Sequence, residues 1–226
     1  MLNFKVLNTM SCPRTLSRLK TSVAILANCI FLSTASNAMT FEVVTMTGEP
    51  AILGHGDIVA GDAKRLRAVL NPAAKHSAGY FALVLSSPGG SVKAAFEVAK
   101  LMDKYPINTY VPPGAECISA CAAIVFIAGQ EHIVVQGGYL GFHGCYDSRT
   151  KKTLGFCNEE IANHAIEHGT AYGSVMAFIQ HVPFDQIIWM DAEQSDCWAI
   201  NRYKISPQPK NFEKCVFDSI RKLRKN

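Results

Sequence analysis

Residues 80–102 read "YFALVLSSPGGSVKAAFEVAKLM". Tyr80–Leu85 is apolar without a break, as in a strand buried on both faces. Ser87-Pro88-Gly89-Gly90 interrupts the run. Val92, Phe96, Ala99 and Leu101 then recur at near-helical spacing and predict a helix over Val92–Met102 with those residues inward. The same alternation extends in both directions. "FEVVTMT" (41–47) and "AIL" (51–53) read as strands. A helix capped by Asp62 follows through Leu70, with Leu66, Val69 and Leu70 on one face. "INTYVPP" is a short strand closed by Pro112-Pro113-Gly114. Residues 114–129, "GAECISACAAIVFIAG", are small and apolar and predict a close-packed buried helix. "HIVVQ" and "YLGFH" are two more strands, separated by Gly137-Gly138. A polar loop over 144–158 precedes one long helix, Glu159–His181, broken only mildly by Gly169 and Gly173. Asp191 caps a short helix from Ala192 to Trp198. Strands alternating with helices predict an α/β domain built of right-handed crossovers.

The first residues do not share this pattern. Lys5, Arg14, Arg18 and Lys20 come with no acidic residue, an apolar run covers Val23–Leu32, and Ser36-Asn37-Ala38 closes the segment. That order predicts a secretory leader over 1–38, cleaved after Ala38, and a single domain over 39–226. The apolar run is about half the roughly 20 residues that a spanning helix needs. A membrane association is therefore expected only through an uncleaved leader, and lipid attachment at Cys29 is a weaker alternative. The leader carries four of the 22 basic residues, which leaves 18 of each sign in the mature chain. The net charge of +4 thus belongs to export and does not point to nucleic acid. The basic tail Arg221-Lys222-Leu223-Arg224-Lys225 reads as a solvated helix end.

Six cysteines remain after the leader: Cys117, Cys121, Cys145, Cys157, Cys197 and Cys215. An even count in an exported chain predicts disulfides. Proximity along the chain pairs Cys145 with Cys157 and Cys197 with Cys215. Cys117 and Cys121 remain either as a free pair or as a bond across four residues. His164 and His168, spaced i, i+4, have no acidic ligand helix to complete a metal site, and neither a metal nor another cofactor is expected.

Three stations carry candidate chemistry. The Gly-Gly turn at 89–90 sits between a buried strand and a helix, where glycine lets backbone amides face outward to receive an oxyanion. Ser119 is placed one or two residues into the next helix, at the positive end of its dipole, with the Ala120 amide beside it. His143 leaves a strand 24 residues later, where an imidazole can take the serine proton. Each station alone is modest, since a turn, an N-cap serine and a structural histidine have the same local signatures.

Together, "LVLSSPGGSV", "CISACAAIVFIAG" and "HIVVQGGYLGFHG" resemble the proteolytic subunit of Clp protease and its relatives in the Clp/crotonase superfamily, exported bacterial Clp-like proteins above all. The resemblance covers roughly residues 52–205. It implies a spiral of β-β-α units with a mostly parallel sheet flanked by helices. It also implies Ser119 as nucleophile, His143 as base, and the amides of Gly90 and Ala120 as oxyanion donors. The family's acid falls in "FDQIIWMDAEQ", where Asp185 is the candidate and Asp191 and Asp147 are rivals. A peptide or protein substrate follows from the resemblance. The long helix over 159–181 offers a surface for a homo-oligomer, and no ATPase partner is expected in an exported protein. The function expected is an exported, periplasmic serine peptidase or other acyl hydrolase. The alternative is a non-catalytic binding or scaffold module on the same fold. Cys117 and Cys121, flanking Ser119, are expected to staple the loop before the nucleophile.

Overall fold

The computed structural model describes residues 38–147, 149–183, 185–203 and 211–223, without the side chains of Phe212, Lys222 and Leu223. The expected leader, apart from Ala38, and the tail residues Arg224-Lys225 lie outside the described residues. Among the described residues eight strands form two sheets. The larger contains β1 (Thr40–Met46), β2 (Glu49–His55), β3 (Phe81–Ser86), β4 (Ile107–Val111) and β6 (His132–Val134), in the order β1-β2-β3-β4-β6. Only the β1–β2 hairpin is antiparallel there. The smaller sheet contains β5 (Glu116–Ile118), β7 (Tyr139–Phe142) and β8 (Ile188–Met190), with β5 and β7 parallel and β8 antiparallel to β7. The helices are α1 (Asp62–Val69), α2 (Val92–Met102), α3 (Gly155–Glu167), α4 (Tyr172–His181), α5 (Ala192–Cys197) and α6 (Phe212–Leu223). This is a mixed α/β architecture, the class that the sequence pattern predicts, with the mostly parallel sheet and flanking helices that the resemblance implies.

The two sheets meet at a fork. β3 pairs with β4 as far as Val84 and Tyr110. Beyond its end, Ser87 instead pairs with β5: its amide donates to the Glu116 carbonyl (2.8 Å), and its carbonyl accepts from the Ile118 amide (2.9 Å). The uninterrupted apolar run of β3 has a direct cause. Leu83 and Leu85 enter the main core, while Ala82 and Val84 join Ala51 in a smaller cluster on the opposite face. The main core continues through Val98, Ala95 and Ala99 of α2 into Ile124, Val125 and Phe126.

Several elements depart from the pattern. In α2 the buried residues are Ala94, Ala95, Val98, Ala99 and Met102, so the predicted inward set is rotated. Small alanines let α2 approach its neighbours, and the bulkier Phe96 is left at the groove edge against the His164 ring (centroids 5.5 Å). Asp62 is not the cap of α1. Gly61 holds that position, and the buried Asp62 carboxylate accepts from the Val59 amide (2.6 Å) and from the Arg65 guanidinium. The predicted helix over 159–181 is two helices, because Gly169 turns to φ 82° and ends α3. The segment after Ser119 is a π-helix, Cys121–Phe126, rather than an α-helix. Two of its carbonyls, which already accept backbone amides, take a second bond from outside: His164 Nε2 donates to Ile124 O (2.9 Å), and Thr109 Oγ1 donates to Phe126 O (2.6 Å). The short helix after Asp191 is as predicted, with a reciprocal box between Asp191 and Gln194.

Among the described residues three disulfides are present: Cys117–Cys121, Cys145–Cys157 and Cys197–Cys215, with Cα separations of 5.3, 5.9 and 5.7 Å. They fit an oxidising compartment. Among the described residues no helix is long and apolar enough to cross a membrane.

His132 and His164 are both buried. Burial lowers each to about 4, from an ordinary value near 6.5. Between about pH 6.5 and pH 4 the unfolded chain therefore binds protons that the folded chain does not. Stability is at its full value above this window and falls as pH drops through it. Each site accounts for up to roughly 3 kcal/mol across the whole window. Urea unfolding at pH 7 and pH 5, where exposed carboxylates are ionised in both states, is expected to show a clear drop in midpoint. A flat profile over that interval would contradict the burial of both rings.

Candidate active site

The fork between the sheets gathers the three stations. Ser119 follows β5 and precedes the π-helix, so it lies between strand and helix instead of inside a helix. Its backbone is left-handed, at φ 57°. For a residue with a Cβ that conformation costs about 1–2 kcal/mol. Two backbone bonds oppose the cost: the Ser119 amide donates to Gly141 O (2.8 Å), and its carbonyl accepts from the Ala123 amide (2.8 Å). Gly141 belongs to β7, the strand that leads into His143, so Ser119 and His143 are pinned to one sheet.

The Gly-Gly turn lies directly against this elbow. A Cβ on Gly89 would sit 2.5 Å from Ile118 O, 2.9 Å from Ser119 Cβ and 3.1 Å from Ala120 N. A Cβ on Gly90 would collide with the backbone of Ile58, which already accepts from the Ser91 amide (2.8 Å) and donates to Gly89 O (2.7 Å). Among the described residues, the amides of Gly90 and Ala120 make no backbone hydrogen bond outside the regular helices and strands. Ser87 anchors the turn, with its hydroxyl donating to Gly56 O (2.6 Å) and accepting from the Gly89 amide (3.1 Å). A serine two residues before the first glycine is the signal for this side-chain-closed turn.

His143 continues from β7. Its Nδ1 lies 2.8 Å from Gly144 O. A carbonyl only accepts, so Nδ1 carries the hydrogen and Nε2 presents a lone pair. The Gly144 amide in turn donates to Val182 O (2.9 Å), which fixes the turn after the histidine. The Tyr146 ring lies beside the imidazole, with centroids 5.6 Å apart. Ser119, His143, Gly90 and Ala120 all line one cavity of ≈ 700 Å³. Ile118, Ala123, Ile161 and Ile187 make its remaining wall largely apolar.

The acid does not join them. Asp185 is exposed, and among the described residues it makes no hydrogen bond or ion pair, so nothing ties it to His143. Asp191 is occupied as the α5 cap, accepting from the Gln194 amide (2.8 Å). Asp147 accepts from the amides of Arg149 (2.9 Å) and Thr150 (2.6 Å), and these bonds, Thr150 foremost, hold its carboxyl below the usual range. The place beside Nδ1 is taken by a backbone carbonyl, which no residue-type pattern reveals. Asp185→Asn is accordingly expected to leave reactivity at Ser119 within the few-fold scatter of exposed substitutions. Loss of two or more orders of magnitude would put Asp185 back beside His143.

His164 and His168 are not arranged as ligands. His164 Nε2 serves the π-helix, while His168 bridges His164 O (2.7 Å) and Asp103 Oδ1 (3.0 Å). No group of three His, Cys, Asp or Glu among the described residues is placed to hold a metal.

No protein-family model matches the chain, and no curated protein matches it. Among solved structures the chain is similar to the ClpP protease catalytic domain from Plasmodium falciparum, at 11% identity and a TM-score of 0.48, covering 68% of this chain and 85% of that chain.

Proposed function

We propose that this chain is an exported serine hydrolase, a peptidase by preference, of the Clp/crotonase type with its β-β-α units wound as a spiral. Ser119 Oγ attacks the substrate carbonyl carbon, and His143 Nε2 takes its proton. The amides of Gly90 and Ala120 receive the carbonyl oxygen as it becomes negative. The C–N or C–O bond to the leaving group then breaks, and His143 returns the proton to that group. Water, deprotonated by the same nitrogen, releases the acyl group from Ser119. Gly144 O holds the Nδ1–H tautomer. It is neutral, so it orients the ring without supplying the charge that a carboxylate gives the imidazolium.

The observation that carries this reading is the left-handed Ser119 in the cavity that His143, Gly90 and Ala120 also line. Strained backbone at a polar residue concentrates at functional sites. The apolar wall suits a substrate that presents an apolar side chain, as peptides do. Export through the leader over 1–38 to the bacterial periplasm accords with three disulfides. A homo-oligomer and the absence of an ATPase partner are part of the same proposal.

A fluorophosphonate probe tests it. The expected product is a single covalent adduct, mapped by peptide mass to the segment containing Ser119. Folded protein that takes no adduct would favour the binding or scaffold module.

A further inference from the structure

We propose that the Cys117–Cys121 disulfide is the positioning element that holds Ser119 in its reactive conformation, so that the hydrolase becomes competent only after those two thiols are oxidised. The inference rests on the serine-hydrolase reading above.

Cys117 and Cys121 are four residues apart, with Ser119 at the midpoint. In a regular helical turn, side chains at that spacing have Cβ atoms about 5–6 Å apart. A disulfide needs roughly 3.5–4.5 Å. The bond therefore forbids residues 117–121 from relaxing into a helical turn. Cys117 and Ile118 are extended in β5, and the left-handed step at Ser119, φ 57°, is where the chain turns from that strand into the π-helix. Without the bond, the competing arrangement is a right-handed Ser119 that extends the helix backwards. That change recovers about 1–2 kcal/mol of backbone strain. It also swings Oγ away from the Gly89–Gly90 turn, whose backbone sits against Ser119 Cβ.

Both ends of the clamp are fixed. Cys117 is in β5, between the Ser87 bridge and β7. Cys121 opens the π-helix, whose carbonyls are held by His164 and Thr109. The bond joins these two anchors across the one residue that must stay strained. Both cysteines are 0% exposed. An attacking thiolate needs access to sulfur, so the bond forms before the core closes and then persists. Formation is a thiol–disulfide exchange with an oxidoreductase of the oxidising compartment. One cysteine thiolate attacks that enzyme's disulfide, and the second cysteine displaces it. The Cys117–Cys121 bond forms, the oxidoreductase's bond breaks, and its two sulfurs leave as thiols with both electrons and both protons. In a reducing cytosol the exchange does not run, and the serine stays out of its reactive conformation until export.

The test uses Cys117→Ala/Cys121→Ala in the full chain. Two quantities are read: fluorophosphonate acylation at saturating probe, and the HN–Hα coupling and Cα shift of Ser119 by NMR. Acylation at saturation is expected to fall about 100-fold, the cost of misplacing a reacting atom by about 1 Å. Probe affinity is expected to stay unchanged, and the Ser119 signals to move to right-handed values. Cys197→Ala/Cys215→Ala, which removes the bond between α5 and α6 and touches no residue lining the cavity, is expected to move neither. A folded double variant whose Ser119 signals do not shift, or which acylates at the wild-type saturating rate, overturns the proposal. If wild type takes no adduct, the hydrolase reading alone fails, and the Ser119 signals still decide the clamp. Should the variant not fold, reduced wild type is refolded across graded glutathione ratios, with each bond followed by peptide mass. The Ser119 signals and acylation must follow the 117–121 bond, and tracking either of the other two instead overturns the proposal.

Discussion

Alanine at position 143 is expected to slow fluorophosphonate acylation of Ser119 by about 10²–10⁴-fold, the range that a positioned general base contributes. In barrier terms that is about 3–5 kcal/mol. A serine hydroxyl is a weak nucleophile at neutral pH. Its reactivity depends on a group that removes the proton as the new bond forms. His143 is suited by its hydrogen-bond pattern: Nδ1–H is committed to Gly144 O, which leaves the Nε2 lone pair for the serine. Ser119→Ala is expected to take no adduct at all. The measurement is the second-order rate of adduct formation by intact mass, with circular dichroism confirming that each variant is folded. If His143→Ala acylates at the wild-type rate, the base lies elsewhere, and the proposed mechanism fails with it.

Gly89→Ala is expected to have the next largest effect. The added methyl meets Ile118 O, Ser119 Cβ and Ala120 N, all parts of the elbow and two of them backbone atoms with no freedom to swing aside. Gly89 is also at φ 92°, which an alanine adopts at a cost of about 1–2 kcal/mol. Crowding in a packed region adds roughly 1–3 kcal/mol. The elbow must shift by tenths of an ångström to an ångström, and acylation is expected to fall about 100-fold. Gly79→Ala supplies the comparison: its φ is 91°, but a Cβ there meets nothing within 4 Å. It carries the conformational cost without the collision. It is therefore expected to lower the melting temperature modestly and leave acylation unchanged. Equal acylation losses in both variants would show that Gly89 acts only through stability.

How much of this was legible without coordinates varies by element. β3 and the turn after it could be read directly, because six consecutive apolar residues ended by Ser-Pro-Gly-Gly admit few local structures. The α5 cap was equally plain, because Asp191 and Gln194 have the spacing of a reciprocal box. Other features were hidden for physical reasons. A run rich in small apolar residues is compatible with an α-helix or a π-helix. Over Cys121–Phe126 the structure has the second, and two of its carbonyls take additional bonds from His164, forty residues away in the chain, and from Thr109 on β4. Nothing local marks a histidine such as His164, whose partner is a distant carbonyl.

The sequence by itself determined the α/β class, the order of the elements around the Gly-Gly turn, and which hydroxyl and imidazole to consider, because periodicity and turn chemistry are local properties. The pairings of Cys145 with Cys157 and Cys197 with Cys215 were within reach for the same reason. Only the tertiary structure decided that Cys117 and Cys121 are bonded, that Ser119 is left-handed, and that a backbone carbonyl, not Asp185, stands beside His143. Those outcomes depend on where β3 leaves one sheet to bridge to the other and on which main-chain atoms then come within reach. Side-chain identities do not encode the position of a carbonyl that every residue carries.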